Sequence, residues 1–382
     1  MTTARTPAGG GALLEGVRVV ELAGLIAAPF CGLTLLDLGA EVVKVEPPGG
    51  DDARAFPPFV AGGGSAFFHA LNRGKRGVVL DLAAAEGRVA ARRLVEDADV
   101  VVENLGDAAR QLGFGYEEAA RVNGRLVWCS VTGNGVGRGG RAVDPSLQAS
   151  MGLMAITGEP DGPPLRVPVP LVDFMTGMYA AQSTLTALWR AERTGVGALL
   201  DCAMVDAAAT LTSVTALLGL GGAVELRRLG SESYLAVPSA AFEAADGEYV
   251  QVVAVNDRHW SALCDALGHP EWREDPRCSD RDARLANRGF VHGLVAEAIA
   301  TGSAADWVER IGRAGGLCER VREMAEAWAD PLLADRGLVG SLDGAGSPLP
   351  LVSLVRGADP SVPVRGPALG EHTEAVLREL GA

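Results

Sequence analysis

Short runs of β-branched residues alternate with amphipathic stretches over the first half of the chain. The runs are apolar at nearly every position, which is typical of strands buried on both faces of a parallel sheet. Between them, "AEGRVAARRLVEDA" carries apolar residues at helical spacing with arginines on the other face. This alternation predicts an α/β fold with a Rossmann-like large domain. The predicted strands cover residues 17–22, 41–46, 76–82, 98–104 and 125–133.

Two helices are predicted after these strands. Over 174–193, apolar residues recur every three to four positions, which indicates an amphipathic helix. A second helix is predicted over 199–218, where the sequence is apolar on nearly every side. We expect this second helix to be buried on most of its surface.

A glycine-rich break at 219–235 separates a part of the chain with a different pattern. Two strands flank the turn residues Asp246 and Gly247, and helical patterns follow them. This predicts a smaller α+β domain. The last fifty or so residues are rich in proline and glycine and end in a short helix that must dock elsewhere. We therefore divide the chain into 1–220, the first part of the large domain, 221–330, the small domain with its linkers, and a C-terminal segment, 331–382.

Composition narrows the class of protein. Of the 382 residues, 48% are apolar and 21% charged, so the chain is a folded globular protein. Its net charge of −14 argues against a nucleic-acid partner. No run approaches the roughly 20 apolar residues of a membrane span, and the N-terminus lacks the order of a signal peptide. The six cysteines are scattered without a C-x-x-C pair, which indicates neither zinc nor disulfides. We expect a cytoplasmic protein.

The segment "NRGKRG" (72–77) is a candidate anion site. Arg73, Lys75 and Arg76 surround a glycine at the entry to a strand, where charge and backbone amides can hold a phosphate. A solvated loop is the alternative. Of the chain's 34 basic residues only Lys44 and Lys75 are lysines, which draws attention to both.

Two further segments give weaker nucleotide signals. The first strand, helix and second strand, ending at Glu46, resemble a dinucleotide-binding unit, but the G-x-G-x-x-G fingerprint is absent. The stretch "TGNGVGRGGR" (132–141) is either a phosphate-approach loop or a mobile flap, and it lacks the ending of a P-loop.

Asp173 stands in "VPVPLVDFMTGM", where a proline-spaced segment meets the long helix. Aspartate is a favoured N-cap residue, so a capping role explains it locally. The alternative is a nucleophilic carboxylate that attacks an activated acyl group. At the positive end of a helix we expect its pKa to be low and the group to be ionised.

Several segments together resemble the class III CoA-transferase family, also called the CaiB/BaiF family. The match spans nearly the whole chain and is specific because the segments occur in order. They are "LLEGVRVVELAG", "LLDLGAEVVKVEPPGGDDAR", "FFHALNRGKRGVVLDL", "ADVVVENL", "ARQLGFGYEEAARVNGRLVWCSVTGNG", "DPSLQASMGLMAITGEPDGPPLRVPVPLVDFMTGMYAA", "DGEYVQVVAVNDRHWSALCDALG" and "PALGEHTEAVLRELG".

The resemblance implies a homodimer of two interlocked rings, with the large domain built from both ends of each chain. It implies acyl-CoA and a carboxylic acid as substrates, no tightly bound cofactor and no metal. Asp173 matches the aspartate that carries the acyl and CoA intermediates of the family. The residues implied to contact CoA are Arg73, Lys75, Arg76, Asn104, Arg110 and Lys44.

A sister branch, the α-methylacyl-CoA racemases, shares the fold and the aspartate. Racemases have a His-Asp pair where this chain has Val143-Asp144, and a glutamate where it has Asn256. Because racemisation needs a second base, the transferase activity is favoured. A racemase, an acyl-CoA lyase or a non-catalytic CoA-binding protein are the alternatives. The residues that border the acyl pocket by the same matching are Ile26, Ala28, Asn134 and Asp144.

Overall fold

The computed structural model describes most of the chain. The ranges it describes are 12–60, 64–106, 115–140, 142–340 and 365–381, with the backbone of 349–350. The chain divides into two compact units. The first comprises Met1–Met151, Val167–Val214 and Asp330–Ala382, and the second comprises Gly152–Arg166 and Thr215–Ala329. Residues 152–166 thus pack with the middle of the chain, which the sequence pattern did not indicate.

The strands are short and mostly buried. They are β1 (Arg18–Leu22), β2 (Glu41–Glu46), β3 (Arg76–Val79), β4 (Val100–Glu103), β5 (Val127–Thr132), β6 (Ala198–Ala203), β7 (Ser239–Glu243), β8 (Tyr249–Val253), β9 (Leu317–Arg320), β10 (Val339–Gly340) and β11 (Leu349–Pro350). Short 3₁₀ turns lie at Asp52–Ala55, Met154–Ile156 and Pro270–Arg273.

The α-helices connect these strands. They are α1 (Ala27–Asp37), α2 (Ala66–Asn72), α3 (Ala85–Glu96), α4 (Tyr116–Val122), α5 (Asp144–Ser150), α6 (Leu171–Thr194), α7 (Met204–Leu220), α8 (Asp257–Leu267), α9 (Arg281–Ala286), α10 (Arg288–Ile299), α11 (Ala304–Arg313), α12 (Met324–Trp328), α13 (Pro331–Asp335) and α14 (Thr373–Glu379).

The first unit is built on a parallel sheet, as predicted. Within the described residues, six strands pair in the order β3-β2-β1-β4-β5-β6, and every pairing is parallel. The strand order reverses between β1 and β4, the place where open α/β sheets bind ligands beyond the carboxyl ends of their strands. Helices α1 and α6 cover one face and α3 and α14 the other, each over its own apolar cluster.

The prediction of a helix over 199–218 was wrong in two respects. Its first residues form the edge strand β6, because a short apolar run does not distinguish a strand from a buried helix by periodicity. The helix that follows is also largely exposed. Val214 and Leu217 are each 69% exposed and Leu220 is 88% exposed.

The second unit carries its own sheet and core. Strands β7, β8 and β9 pair antiparallel in that order, and helices α8, α10 and α11 pack on them through one apolar cluster. The turn between β7 and β8 uses Gly247 at φ +80°, which glycine adopts without strain. The predicted hairpin and the α+β character of this part agree with the structure.

The short C-terminal helix α14 docks on β3. The hydroxyl of Thr373 accepts a hydrogen bond from the N–H of Val79 at 3.0 Å, and Val376 lies in the same apolar cluster as Val78. The N–H of Gly366 donates to Nδ1 of His69 at 3.0 Å. The end of the chain therefore completes the face of the sheet opposite α1.

Helices α1 and α6 approach closely at Gly177. A Cβ atom there would lie 2.6 Å from the carbonyl oxygen of Ala27 and 2.8 Å from the ring of Phe30. Real Cβ atoms do not come so close to backbone atoms, so any larger residue must push α6 away from α1.

Gly177→Ala is therefore expected to destabilise the protein by about 1–3 kcal/mol, the usual cost of overpacking a core. The control is Gly293→Ala in α10, where a Cβ meets nothing within 4 Å. This control is expected to stabilise by up to about 1 kcal/mol, because alanine has the higher helix propensity. Urea denaturation measures both, and equal effects of the two changes would contradict the close approach.

Candidate active site

Asp173 lies inside the first turn of α6 and does not cap it. The helix begins at Leu171, with Pro170 in the cap position and no side-chain capping bond from it. Asp173 is thus the third helical residue, and the local prediction of an N-cap was wrong. The helix starts earlier than the pattern indicated because proline tolerates the cap position and a side chain from another element satisfies the exposed N–H of the second residue.

That side chain is Asp144, at the start of α5. Its Oδ2 accepts the N–H of Val172 at 2.7 Å, and its Oδ1 accepts Nε2 of Gln148 at 2.7 Å. Gln148 in turn accepts the N–H of Val167 at 2.9 Å through Oε1. Asp144 is 4% exposed and Gln148 is fully buried. This pair fixes the proline-spaced segment and the start of α6 together.

Sequence reasoning did not identify Gln148. The only signal was its spacing of four residues from Asp144, which places both side chains on one face of α5. Without the partner segment at 167–172, that spacing is unremarkable.

The pKa of Asp173 is raised from its ordinary value to about 7. Burial is the larger cause, and the nearby negative charge of Asp144 adds to it. The expectation of a low pKa was therefore wrong: the helix terminus favours an anion, but desolvation and a like charge outweigh it. The carboxyl group changes charge near neutral pH.

Phe174, the residue after Asp173, takes part in an apolar contact between α6 and α1. The ring of Phe174 meets that of Phe30 edge to face, with 5.0 Å between the centroids. Ile26, Phe67 and Phe174 all pack against one cluster of buried residues that includes Phe30. Ile26 precedes α1 and Ala28 is fully buried within it. Ile26, but not the buried side chain of Ala28, thus lies at the surface of this apolar wall.

Both lysines of the chain are buried, and both form ion pairs with the carboxylate of Glu21. The Nζ of Lys44 lies 3.1 Å from Glu21 Oε1, 2.6 Å from the carbonyl oxygen of Ala23 and 2.9 Å from Asp51 Oδ2. The ammonium group thus has two hydrogen bonds, to Glu21 and Ala23, and a further ion pair with Asp51. Glu21 is a charged residue in the middle of an apolar strand, and that was the sequence signal for a buried partner.

Lys75 makes a matching set of bonds. Its Nζ lies 2.7 Å from Glu21 Oε2, 2.9 Å from the carbonyl oxygen of Pro29 and 2.9 Å from Asn72 Oδ1. Burial lowers the pKa of Lys75 to about 8, which leaves it mostly protonated at neutral pH. Burial also opposes the charge of Lys44, but the carboxylates of Glu21 and Asp51 outweigh it and raise its pKa.

These bonds bear on the predicted CoA contacts. Both ammonium groups are fully buried and face protein oxygen atoms. Arg73 is buried against Asp37 at 2.5 Å, and Arg76 lies at the amino edge of the sheet, bound to Glu41 and Glu379. The structure brings Lys44 and Lys75 together and leaves Arg76 at another edge. Their contact with CoA stays a prediction.

Asn104 lies at the carboxyl end of β4, next to the reversal of strand order. Its side-chain amide donates to the carbonyl oxygen of Gly24 at 3.0 Å and accepts the N–H of Gly24 at 3.2 Å. It therefore joins β4 to the loop after β1 at the edge where a nucleotide is expected. Arg110 lies outside the described residues.

The glycine-rich stretch after β5 is held by its own hydrogen bonds. Asn134 Nδ2 donates to the carbonyl oxygen of Gly139 at 3.2 Å, and the N–H of Val136 donates to Asp201 Oδ2 at 3.0 Å. Gly135 and Gly140 adopt positive φ, which permits the tight path. The described part of this stretch thus has one internal hydrogen bond, from the exposed side chain of Asn134, and one to Asp201 in β6.

Three positions bear on the racemase alternative: Val143, Asp144 and Asn256. Val143 has no titratable group. Both carboxylate oxygens of Asp144 accept hydrogen bonds, one from Val172 and one from Gln148. Asn256 caps α8 by accepting the N–H of His259 at 2.9 Å. None of the three is arranged as a free second base.

In the described ranges, no cluster of three or more His, Cys, Asp or Glu side chains is placed to hold a metal ion. Across those same ranges, no helix combines the length and apolarity that a membrane crossing requires.

Comparison with known proteins gives consistent matches over the whole length. The sequence profile of "CoA-transferase family III" matches residues 14–373. The chain is 36% identical to the succinyl-CoA:mesaconate CoA-transferase of Haloarcula hispanica, with 96% of each chain covered. It is 34% identical to the acetyl-CoA:oxalate CoA-transferase of Acetobacter aceti over 100% of this chain and 99% of that one. A CaiB/BaiF family protein from Brucella suis has a similar structure, with a TM-score of 0.83, 34% identity and coverage of 96% and 99%.

The raised pKa of Asp173 predicts a pH-dependent cost in stability. The group titrates at about 7 when folded and near 3.8 when unfolded, so the folded state holds the proton more tightly between these values. Its stabilising contribution is complete below about pH 4 and is lost as the pH rises through 7. Asp173→Asn mimics the protonated form. We expect its advantage in thermal midpoint over the wild type to grow from pH 4 to pH 7 and then level off. A constant difference across that range would contradict the raised pKa.

Proposed function

Since the chain belongs to CoA-transferase family III, we propose that it moves coenzyme A from an acyl-CoA donor to a carboxylic acid through covalent intermediates on Asp173. The observation that carries this proposal is a half-buried carboxyl group that titrates near neutral pH, on a helix turn that Asp144 fixes and next to the residue Phe174, which packs on Phe30. A desolvated carboxylate is a stronger nucleophile than a hydrated one.

The reaction begins when an oxygen of Asp173 attacks the thioester carbonyl carbon of the donor. The carbon–sulfur bond breaks, and the products are a mixed anhydride and the CoA thiolate. The thiolate then attacks the carbonyl carbon of the aspartyl group, which forms an aspartyl thioester and releases the donor acid as a carboxylate. Atoms and charge balance at both steps without an oxidant or an outside proton.

The acceptor acid completes the cycle by the reverse path. Its carboxylate attacks the aspartyl thioester and expels the thiolate, which gives a second anhydride. The thiolate then attacks the acceptor carbonyl, so the new acyl-CoA leaves and the carboxylate of Asp173 is restored. The apolar wall formed by Ile26, Phe30 and Phe174 supports this scheme because an anhydride must be kept from water.

The CoA moiety is proposed to lie along the carboxyl edge of the sheet, near Asn104, and Arg110 is proposed as a further contact from the family resemblance alone. The other four predicted contacts are assigned mainly to holding the surrounding backbone, since the described ion pairs occupy their side chains. These residues are Lys44, Arg73, Lys75 and Arg76. The working enzyme is proposed to be a cytoplasmic homodimer of interlocked chains, as the family resemblance implies.

The substrates are proposed to be an acyl-CoA and an organic acid. The names of the relatives include mesaconate and oxalate as acceptors and succinyl-CoA and acetyl-CoA as donors. For this chain, Ile26 presents an apolar side chain next to Phe174, which favours an acceptor with some hydrocarbon surface over oxalate. A panel of acids tested against succinyl-CoA identifies the acceptor as the one that yields a new thioester.

Covalent trapping tests the role of Asp173. Wild-type enzyme is mixed with an acyl-CoA and hydroxylamine, which converts an aspartyl anhydride or thioester into a hydroxamate. We expect mass spectrometry to find the added mass at Asp173 and not in the Asp173→Asn variant, whose transfer rate should fall by at least about 10³-fold because it lacks the nucleophile.

Other results would point to other functions. If Asp173 stays unlabelled while the thioester exchanges its α-proton in deuterated buffer, the enzyme is a racemase. If CoA binds without any turnover, and Asp173→Asn changes nothing, the chain is a binding protein. Tight binding of a nicotinamide dinucleotide would support the alternative that the first strand, helix and second strand form a dinucleotide-binding unit.

The pH profile of the reaction tests the influence of Asp144. Because only the ionised Asp173 attacks, kcat/KM for the donor should fall about tenfold per pH unit below about 7. Asp144→Asn removes the like charge, so the acid limb should move to lower pH. The matched variant Gln148→Met loosens the same segment but keeps the charge, and its acid limb should stay near that of the wild type. An equal shift in both variants would show that mere loosening is responsible.

A further inference from the structure

Four buried charges form what we call the lysine network: Glu21, Lys44, Asp51 and Lys75. It holds both lysines of a chain that otherwise uses arginine. Both ammonium groups bind Glu21, and Lys44 also binds Asp51, so two positive and two negative charges are enclosed together. Well-packed apolar side chains in such places often stabilise a core at least as well as ions do. Stability alone therefore does not account for the network.

The network holds the loop between β1 and α1, together with the first turn of α1, at three points. Lys44 donates to the carbonyl oxygen of Ala23 at the start of the loop, and Lys75 donates to that of Pro29 in the first turn of α1. Between them, Asp51 Oδ1 accepts the N–H of Leu25 at 3.1 Å. Leu25 has φ +68°, and it is the one residue other than glycine with positive φ among those the structure describes. Such a conformation persists only where its surroundings impose it.

Helix α1, which directly follows the loop, packs on the start of α6. The carbonyl oxygen of Ala27 lies against Gly177, and the ring of Phe30 against that of Phe174, the residue after Asp173. On the other side of α1, a Cβ at Gly32 would come within 2.0 Å of Glu21 Oε2. Helix α1 therefore lies directly between the lysine network and the residues next to Asp173.

We propose that the lysine network is a positioning device for CoA transfer, which fixes the strained β1–α1 loop and, through α1, the placement of Asp173. The proposal rests on the proposed function, in which Asp173 must meet the thioester carbon at a defined angle. Lysine suits the task because its compact ammonium group donates in three directions within a small enclosed space, whereas the planar fork of arginine does not. Lys44 and Lys75 act through the backbone and are positioning residues.

The test separates positioning from stability with a pair of variants. Lys75→Met leaves Glu21 with one cation fewer, so it should lower both the thermal midpoint and kcat. The double variant Glu21→Gln/Lys75→Met restores charge balance, because Lys44 and Asp51 remain as a pair. It should recover much of the thermal midpoint but not kcat, since the carbonyl oxygen of Pro29 still lacks its donor.

Rates are measured where circular dichroism shows each variant fully folded. We expect kcat and the single-turnover rate of hydroxamate formation at Asp173 to fall together by at least tenfold. The Kd for free CoA, measured by calorimetric titration, should change by less than threefold. Recovery of both midpoint and kcat in the double variant would overturn the proposal, and so would a full kcat in folded Lys75→Met.

A second pair of variants keeps the test decisive if the network variants do not fold. Leu25→Gly and Leu25→Ala both leave the lysine network intact, but only glycine frees the backbone of the loop. Leu25→Gly should therefore lose more of kcat than Leu25→Ala. An equal or smaller loss would contradict a role for the fixed loop.

Failure of the proposed function has a different signature. If wild-type enzyme transfers CoA without labelling Asp173, the mechanism is wrong whatever the network variants do. If Asp173 labels normally and the network variants turn over at the wild-type rate, the mechanism stands and the positioning role is wrong.

Discussion

The hydrogen bond from the N–H of Val172 to the carboxylate of Asp144 determines where the long helix α6 begins. Proline at the preceding position offers no side-chain cap, so the first turn depends on an acceptor from another element. Gln148 holds Asp144 in place from one side and the segment at Val167 from the other. Asp173 is positioned as a result, because it is carried on the turn that this bond fixes.

The same carboxylate also sets the electrostatics. Capping a helix with an anion is favourable, but here the anion stands beside a second, half-buried carboxyl group. The structure thus combines a stabilising contact at Val172 with a penalty at Asp173, whose pKa rises to about 7. A residue that orients the candidate nucleophile therefore also determines the pH at which it is charged.

Sequence patterns were sufficient for the parallel sheet, and they singled out Asp173 as a candidate. Strands such as β2 and β5 are mostly apolar runs bounded by turns, and such runs can be recognised from the sequence alone. The raised pKa of Asp173 could not be predicted from the sequence. One of its causes is Asp144, which bonds to the neighbouring Val172 but lies 28 residues before it in the chain.

The partners of the basic cluster could not be predicted for a related reason. Arg73, Lys75 and Arg76 resemble a phosphate site locally, but their acidic partners Asp37, Glu21 and Glu379 come from distant parts of the chain. A charge cluster reveals its function only when the groups that neutralise it are known. The edge strand β6 was missed because an apolar run of that length fits a helix equally well.

The lysine network and the pair of Asp144 and Asp173 differ in net charge, and this difference affects the proposed reaction. In the lysine network, two cations face two carboxylates, so the loop after β1 is held without net charge. Asp144 and Asp173 are two acids together, and burial and Asp144 are the causes of the pKa shift at Asp173. In the proposed reaction, acylation converts the carboxylate of Asp173 into a neutral anhydride or thioester. That step removes the repulsion from Asp144, so the interaction that makes the free carboxylate unfavourable also favours the covalent intermediate.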